Sequence, residues 1–175
     1  MTTVRFSYQL TDPATSVGSL TMDGQRAAYE CYHSNDALAG FVRAVIALMR
    51  GAPQAECVWG FSTGEGGLRW LFTRHGDDVT ISTTAFRRPG DMREGRRGCR
   101  RTVGTCNLMQ LAKEVRRELR AFMDQWGAEE YRAQWRLNDY PVAEAEMLDK
   151  LIRGAKVEEP PQPEPRRRKS HRKRK

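Results

Sequence analysis

No two of the four cysteines form a Cys-x-x-Cys pair: Cys31, Cys57, Cys99 and Cys106 stand apart, three of them in apolar strand-like runs. A chain of 175 residues can bury a core without disulfide staples. Histidine is scarce, with three residues, of which His171 lies near the end. No apolar stretch is long enough to span a bilayer, since the longest, Ala37 to Met49, contains Arg43. The start, Met1-Thr2-Thr3-Val4-Arg5, runs straight into a strand pattern and lacks the charged head and apolar stretch of a secretory signal. These absences lead us to expect a reducing, cytoplasmic setting with no membrane partner. There is no internal repeat.

Hydrophobic residues make up 39% and charged residues 30%, the composition of one globular domain rather than two. The charge is unevenly placed. Lys+Arg is 30 and Asp+Glu is 22, a net of +8. Arg166, Arg167, Arg168, Lys169, Arg172, Lys173, Arg174 and Lys175 supply eight of those positive charges with no acid among them. Subtracting eight from 30 leaves 22 basic against 22 acidic residues over positions 1–165, a net of zero. The pI of about 9.7 is therefore a property of the tail. A uniformly basic nucleic-acid-binding domain would look different.

Val4, Phe6, Tyr8 and Leu10 alternate with Arg5, Ser7 and Gln9, a half-buried strand. Val17 to Met22 predicts a second strand, Asp23-Gly24 a two-residue turn, and residues 25–33 a third. Ser34-Asn35-Asp36 then offers side-chain oxygens to cap a helix. Leu38, Phe41, Val42, Val45, Leu48 and Met49 follow at helical spacing, and Gly51 and Pro53 stop it. Residues 55–61 and 68–74 read as a hairpin, Val79 to Phe86 as a further strand, and Cys99 to Cys106 as an edge strand after an Arg-, Gly- and Pro-rich loop. Leu108, Leu111, Val115, Leu119, Phe122 and Trp126 form a helical stripe. Gly127 interrupts it, Tyr131 and Trp135 continue it, and Pro141 opens a last helix ended by Gly154. The expected fold is α+β: an antiparallel sheet of six or seven strands, one inserted helix, and C-terminal helices packed on the sheet. Residues 1–155 form the expected domain. Residues 156–175, rich in proline and then in charge, form an expected disordered tail.

Ser34-Asn35-Asp36-Ala37-Leu38, Gly64-Glu65 with Arg69-Trp70, and Tyr131 to Trp135 before Tyr140-Pro141 follow one another in an order that resembles an uncharacterised family of small bacterial α+β proteins of actinobacterial type. The resemblance spans roughly residues 4–152. It implies an accessory role, immunity-like in some members, and supplies no catalytic residue. Thr63 stands where that family carries proline before Gly-Glu, and the Arg/Lys tail is an addition.

Several chemistries lack their residues. Cys99, Cys106 and His75 do not make the closely spaced pairs that structural zinc needs. Cys31 and His33 share a strand face, yet nothing supplies the third member of a nucleophilic triad. Gly64-Glu65-Gly66-Gly67 has no Lys-Ser/Thr and no following helix, so it reads as a hairpin loop rather than a phosphate cradle. Asp77-Asp78 and Glu129-Glu130 read as a turn and a helix start, not as magnesium ligands. No cofactor, metal or catalytic residue is expected.

Basic segments carry the strongest signal. Arg87, Arg88, Arg93, Arg96, Arg97, Arg100 and Arg101 face only Asp91 and Glu94 within residues 87–101. Guanidinium forks match phosphate oxygens. Loop and tail together could grip a polyanion, the tail raising the loop's local concentration. A solvated loop and a solubilising tail are the plainer alternative. Neither patch is interleaved with aromatics for base stacking. Trp59, Phe61, Trp70, Phe72 and Trp126 read as core. Tyr131, Trp135 and Tyr140 lie where the helical pattern breaks and are the candidates for an exposed partner-binding patch. The first functional reading is a non-enzymatic binding protein whose cationic tail associates with DNA or RNA. The second is an immunity-like protein that blocks a partner protein. The third is an enzyme of unrecognised type.

Overall fold

Alternating apolar positions make strands that bury one face, and the first such strand, β1 (Val4–Asp12), buries Val4, Phe6, Tyr8 and Leu10. The computed structural model describes residues 2–12, 14–32, 36–60, 66–87, 99–135 and 138–154, with backbone only for Tyr32, Cys99 and Arg100. After β1 come β2 (Thr15–Met22), β3 (Gln25–Tyr32), α1 (Ala37–Met49), β4 (Gln54–Gly60), β5 (Gly67–His75), β6 (Asp78–Phe86), β7 (Cys99–Asn107), α2 (Leu108–Trp135) and α3 (Val142–Ile152).

The architecture is α+β, but it is not one sheet of six or seven strands. The strands form two antiparallel sheets, β1-β2-β3 and β4-β5-β6-β7. Hairpins build each sheet locally. Met22 faces Gln25 across Asp23-Gly24, whose positive φ values of 44° and 80° suit a tight turn that follows the strand twist. The break falls where α1 is inserted. That helix buries Leu38, Phe41, Val42, Val45 and Leu48, and also Ala37, Ala39, Ala44 and Ile46. A helix apolar on nearly every side needs cover on every side. Both sheets contribute to that cover, and α2 and α3 pack on the helix as well.

Phe41 marks the centre. Its ring stacks on Phe6 of β1 at 4.6 Å and lies 5.3 Å from Trp59, 5.6 Å from Trp70 and 5.2 Å from Phe72. The sheets also touch directly. Gly18 of β2 lies under the Trp59 ring, where a Cβ would overlap it.

Capping of α1 differs from expectation. Asp36 occupies the N-cap position but makes no side-chain cap bond. Its carboxylate instead accepts from Arg43 at 2.5 Å, and Arg43 also reaches Glu144 of α3 at 2.9 Å. The arginine therefore ties two helices, although an exposed pair of this kind contributes only about 0.2–1 kcal/mol. Ser34 and Asn35 lie outside the described residues.

Of the C-terminal helices, α2 packs on β1 of the three-stranded sheet, whereas α3 packs on α1 and α2 rather than on a sheet. Side chains of α2 close the free edge of β1: the Tyr8 N–H donates to Glu118 at 2.9 Å, and Gln110 donates to the Thr2 carbonyl at 3.0 Å. An edge strand otherwise offers a row of unpaired backbone groups. At Gly127 (φ 74°, ψ 166°) α2 kinks, which brings Tyr131 to 5.5 Å from Phe122 and lets the Gln134 carbonyl accept from the Ala14 N–H at 2.7 Å.

Trp70 is fully buried, and its indole N–H finds no hydrogen-bond partner among the described residues. Trp70→Ala should cost about 3–5 kcal/mol through the cavity it leaves. Trp70→Phe should cost less, because it keeps a ring and removes the unpartnered donor. Denaturant unfolding measures both, and an unchanged midpoint for Trp70→Ala would show that the ring is not structural.

Candidate nucleic-acid interface

The arginine-rich connection joins β6 to β7, the last hairpin of the four-stranded sheet. Antiparallel pairing fixes what lies beside it. Thr84 faces Arg69 on one side and the Arg100 backbone on the other; Ser82 faces Leu71 and Thr102; Thr80 faces Thr73 and Thr105. These positions alternate with Val79, Ile81 and Thr83, which are buried toward the core. The outward register positions of β6 and β7 thus carry hydroxyls, of which Thr102 and Thr105 are exposed and Ser82 is buried. Thr80 and Thr105 hydroxyls share a hydrogen bond of 2.9 Å. The inward face carries Trp59, Trp70 and Phe72, all with no exposure. Phe86, at an outward register position, is itself buried.

The predicted arginines divide as follows. Arg87 follows β6 and is exposed. Arg101 is exposed, lies opposite Thr83, and donates to the Gln25 side chain at 2.7 Å. Arg100 sits opposite Thr84 on the other face. Arg88, Arg93, Arg96 and Arg97 lie outside the described residues, as do Arg166, Arg167, Arg168, Lys169, Arg172, Lys173, Arg174 and Lys175. Arg69 joins the face without having been singled out from the sequence, and it pairs with Glu56 of β4. The hydroxyl positions were hidden by a bulge: β7 shifts register between Ile81 and Ser82, so Val103 enters as an extra residue, and alternation counted along β7 alone assigns the wrong face.

The aromatic trio is corrected. Tyr131 and Trp135 are fully buried and Tyr140 is 5% exposed. The kink at Gly127 turns the second half of α2 inward, and the Tyr140 hydroxyl donates to the Leu119 carbonyl at 2.8 Å. They form no exposed patch. Tyr140 instead contributes to the wall of a cleft of about 200 Å³ between α2 and α3, with Leu119, Met123 and Val142. Val142, 46% exposed, is the one large hydrophobic side chain in the open among the described residues.

The thiols are poor nucleophiles. Burial pushes Cys31 and Cys106 up to about 12 and Cys57 well above its ordinary range. All three are free and neutral at physiological pH, the opposite of an activated cysteine. His33 and the Cys99 side chain lie outside the described residues. His75 is exposed and faces Asp78 in register. Among the described residues no three His, Cys, Asp or Glu side chains gather as a metal site requires. No helix among them is long and apolar enough to cross a membrane. Comparison with family models, with curated proteins and with solved structures finds no match to this chain.

The buried thiols make stability pH-dependent. Unfolded, a thiol ionises near 9; folded, Cys31 and Cys106 keep their protons up to about 12. Between those values the folded state binds more protons, so this stabilisation is complete below 9 and is lost as pH rises toward 12. Burial raises Tyr8, Tyr131 and Tyr140 in the same direction. Thermal melts should therefore show a falling midpoint above pH 9, and Cys31→Ser should reduce that slope. An alkaline midpoint that stays level would overturn the assignment.

Proposed function

We propose that the chain is a non-enzymatic binding protein of the cytoplasm whose cationic C-terminal tail associates with nucleic acid, without sequence selectivity. The observation that carries this reading is the charge layout: eight positive charges and no acid in the last ten residues, attached to 165 residues of zero net charge. Phosphate contacts of this type position a protein but read no bases. Arg87 and Arg101, exposed at the two ends of the arginine-rich connection, support a secondary contact by the loop. Neutral, buried, unpaired thiols support both the non-enzymatic and the reducing-compartment parts of the reading.

A second reading, an immunity-like protein that blocks a partner protein, is favoured by the apolar cleft between α2 and α3 with its exposed Val142. Exposed apolar surface rimmed by polar groups is the kind of feature that partner proteins cover.

A chain ending at Pro165 separates the two. It should lose most of its affinity for nucleic acid and melt at nearly the same temperature, because a charged, proline-rich segment buries little. Full-length binding should weaken with salt at a log–log slope of about −0.9 per phosphate contact on duplex DNA. Equal binding by both chains would reduce the tail to a solubilising appendage. Binding by neither at moderate salt would remove the nucleic-acid reading and leave the partner-protein one.

A further inference from the structure

We infer that β3 is the seam of a two-fold dimer, in which its outer edge pairs antiparallel with β3 of a second copy of this chain. The inference is independent of the nucleic-acid reading above and goes beyond it. The three-stranded sheet has two edges, and α2 closes the one at β1. There the Tyr8 N–H donates to Glu118 and the Phe6 carbonyl accepts from Arg117, so the backbone at both positions turns away from β2. Residues opposite each other in an antiparallel ladder either bond mutually or both turn away. Gly18 and Leu20, which face Tyr8 and Phe6, therefore turn toward β3 and meet Tyr29 and Ala27. Arg26, Ala28 and Glu30 alternate with those two and direct their N–H and carbonyl groups to the open edge. The two-residue turn at Asp23-Gly24 gives the same phase, because Met22 and Gln25 close it. None of these outward backbone groups meets a partner among the described residues.

The usual defences of an edge strand are missing from β3. It contains no proline or lysine, and its pairing with β2 runs without a bulge. What it carries is a self-complementary pattern. Arg26, Ala28 and Glu30 share one face and are exposed. Neither charged side chain makes a hydrogen bond or ion pair with a described residue. An antiparallel two-fold centred on Ala28 sets Arg26 of each copy opposite Glu30 of the other, with the small Ala28 side chains at the axis. All three positions turn their backbone outward, so each opposed pair is of the mutually bonded kind. Backbone phase and charge thus select the same register. Opposite charges directly across a ladder are favourable, and like charges are not. A foreign strand would need a cation opposite Glu30 and an anion opposite Arg26 in that phase. A second copy supplies both, and the contact closes on itself as an isologous dimer.

The experiment is sedimentation equilibrium of the full chain without nucleic acid, from micromolar concentration to about 1 mM. The wild type should show a monomer–dimer equilibrium. Arg26→Glu and Glu30→Arg each set like charges opposite one another on both sides of the axis, so either variant alone should dimerise at least about tenfold more weakly. An equimolar mixture of the two should recover wild-type association, because every opposed pair in the mixed dimer is again of opposite sign. Ala28→Pro deletes the central donor, which has no partner in the monomer, and an edge strand tolerates proline where its N–H faces outward. It should weaken dimerisation by at least about tenfold as well. Thermal melts confirm that each variant is folded, and the two charge variants decide the matter if Ala28→Pro is not. A wild type that stays monomeric throughout, single charge variants that dimerise like the wild type, or a mixture that fails to recover would each overturn the inference. All three outcomes leave the tail-driven reading standing, since truncation at Pro165 tests that separately.

Discussion

The ring of Phe41 is the contact on which the two halves of this molecule meet. It stacks on Phe6 from one sheet and meets Trp59, Trp70 and Phe72 from the other. Aromatic pairs at these separations add to what area burial already contributes. The helix that carries Phe41 is buried around almost its whole circumference, so neither sheet can satisfy it alone. Enclosing it forces close approach elsewhere, which is why β2 presents Gly18 to the face of Trp59. The same enclosure turns the aromatic side of the four-stranded sheet inward.

A second aromatic group secures the C-terminal helices. Phe122, Tyr131 and Tyr140 pack within 5.5–6.0 Å of one another, and Tyr8 of β1 lies 6.2 Å from Phe122. Gly127 makes this possible by adopting a backbone conformation that side-chain-bearing residues rarely take. Once Tyr131, Trp135 and Tyr140 are spent on packing, they are no longer surface. Meanwhile α2 lies along β1 with Glu118 and Gln110 aimed at its backbone, so that edge of the sheet is occupied by the protein's own side chains.

Charge is divided unevenly between body and tail. Residues 1–165 balance 22 positive charges against 22 negative, and many are engaged locally: Asp149, for example, accepts from Arg120 at 2.7 Å with Arg116 and Arg153 nearby. A balanced surface exerts little long-range pull. Eight charges on a terminal segment exert much more, within a Debye length of about 8 Å at physiological salt. Such a tail favours encounter with a polyanion.

Periodicity alone located most of the elements. The alternation from Val4 to Leu10, the Asp23-Gly24 turn, the helix opening after Asp36 and the break at Gly127 all appear in the structure near their expected places. These are local properties, set by backbone sterics and by the side-chain repeat of each element. The charge division between body and tail is likewise a matter of counting residues. Sheet membership, the outward set on β7, and the burial of Tyr131, Trp135 and Tyr140 are not local. Strands separated by a long helix carry no register signal for one another, so nothing in the alternation tells one sheet from two. The bulge at Val103 reverses the facing of half a strand without altering its composition. A kink reads as a gap in a stripe, but the direction in which the chain resumes depends on what it can pack against. Those three features depend on which elements meet in the folded chain, and no local repeat encodes that.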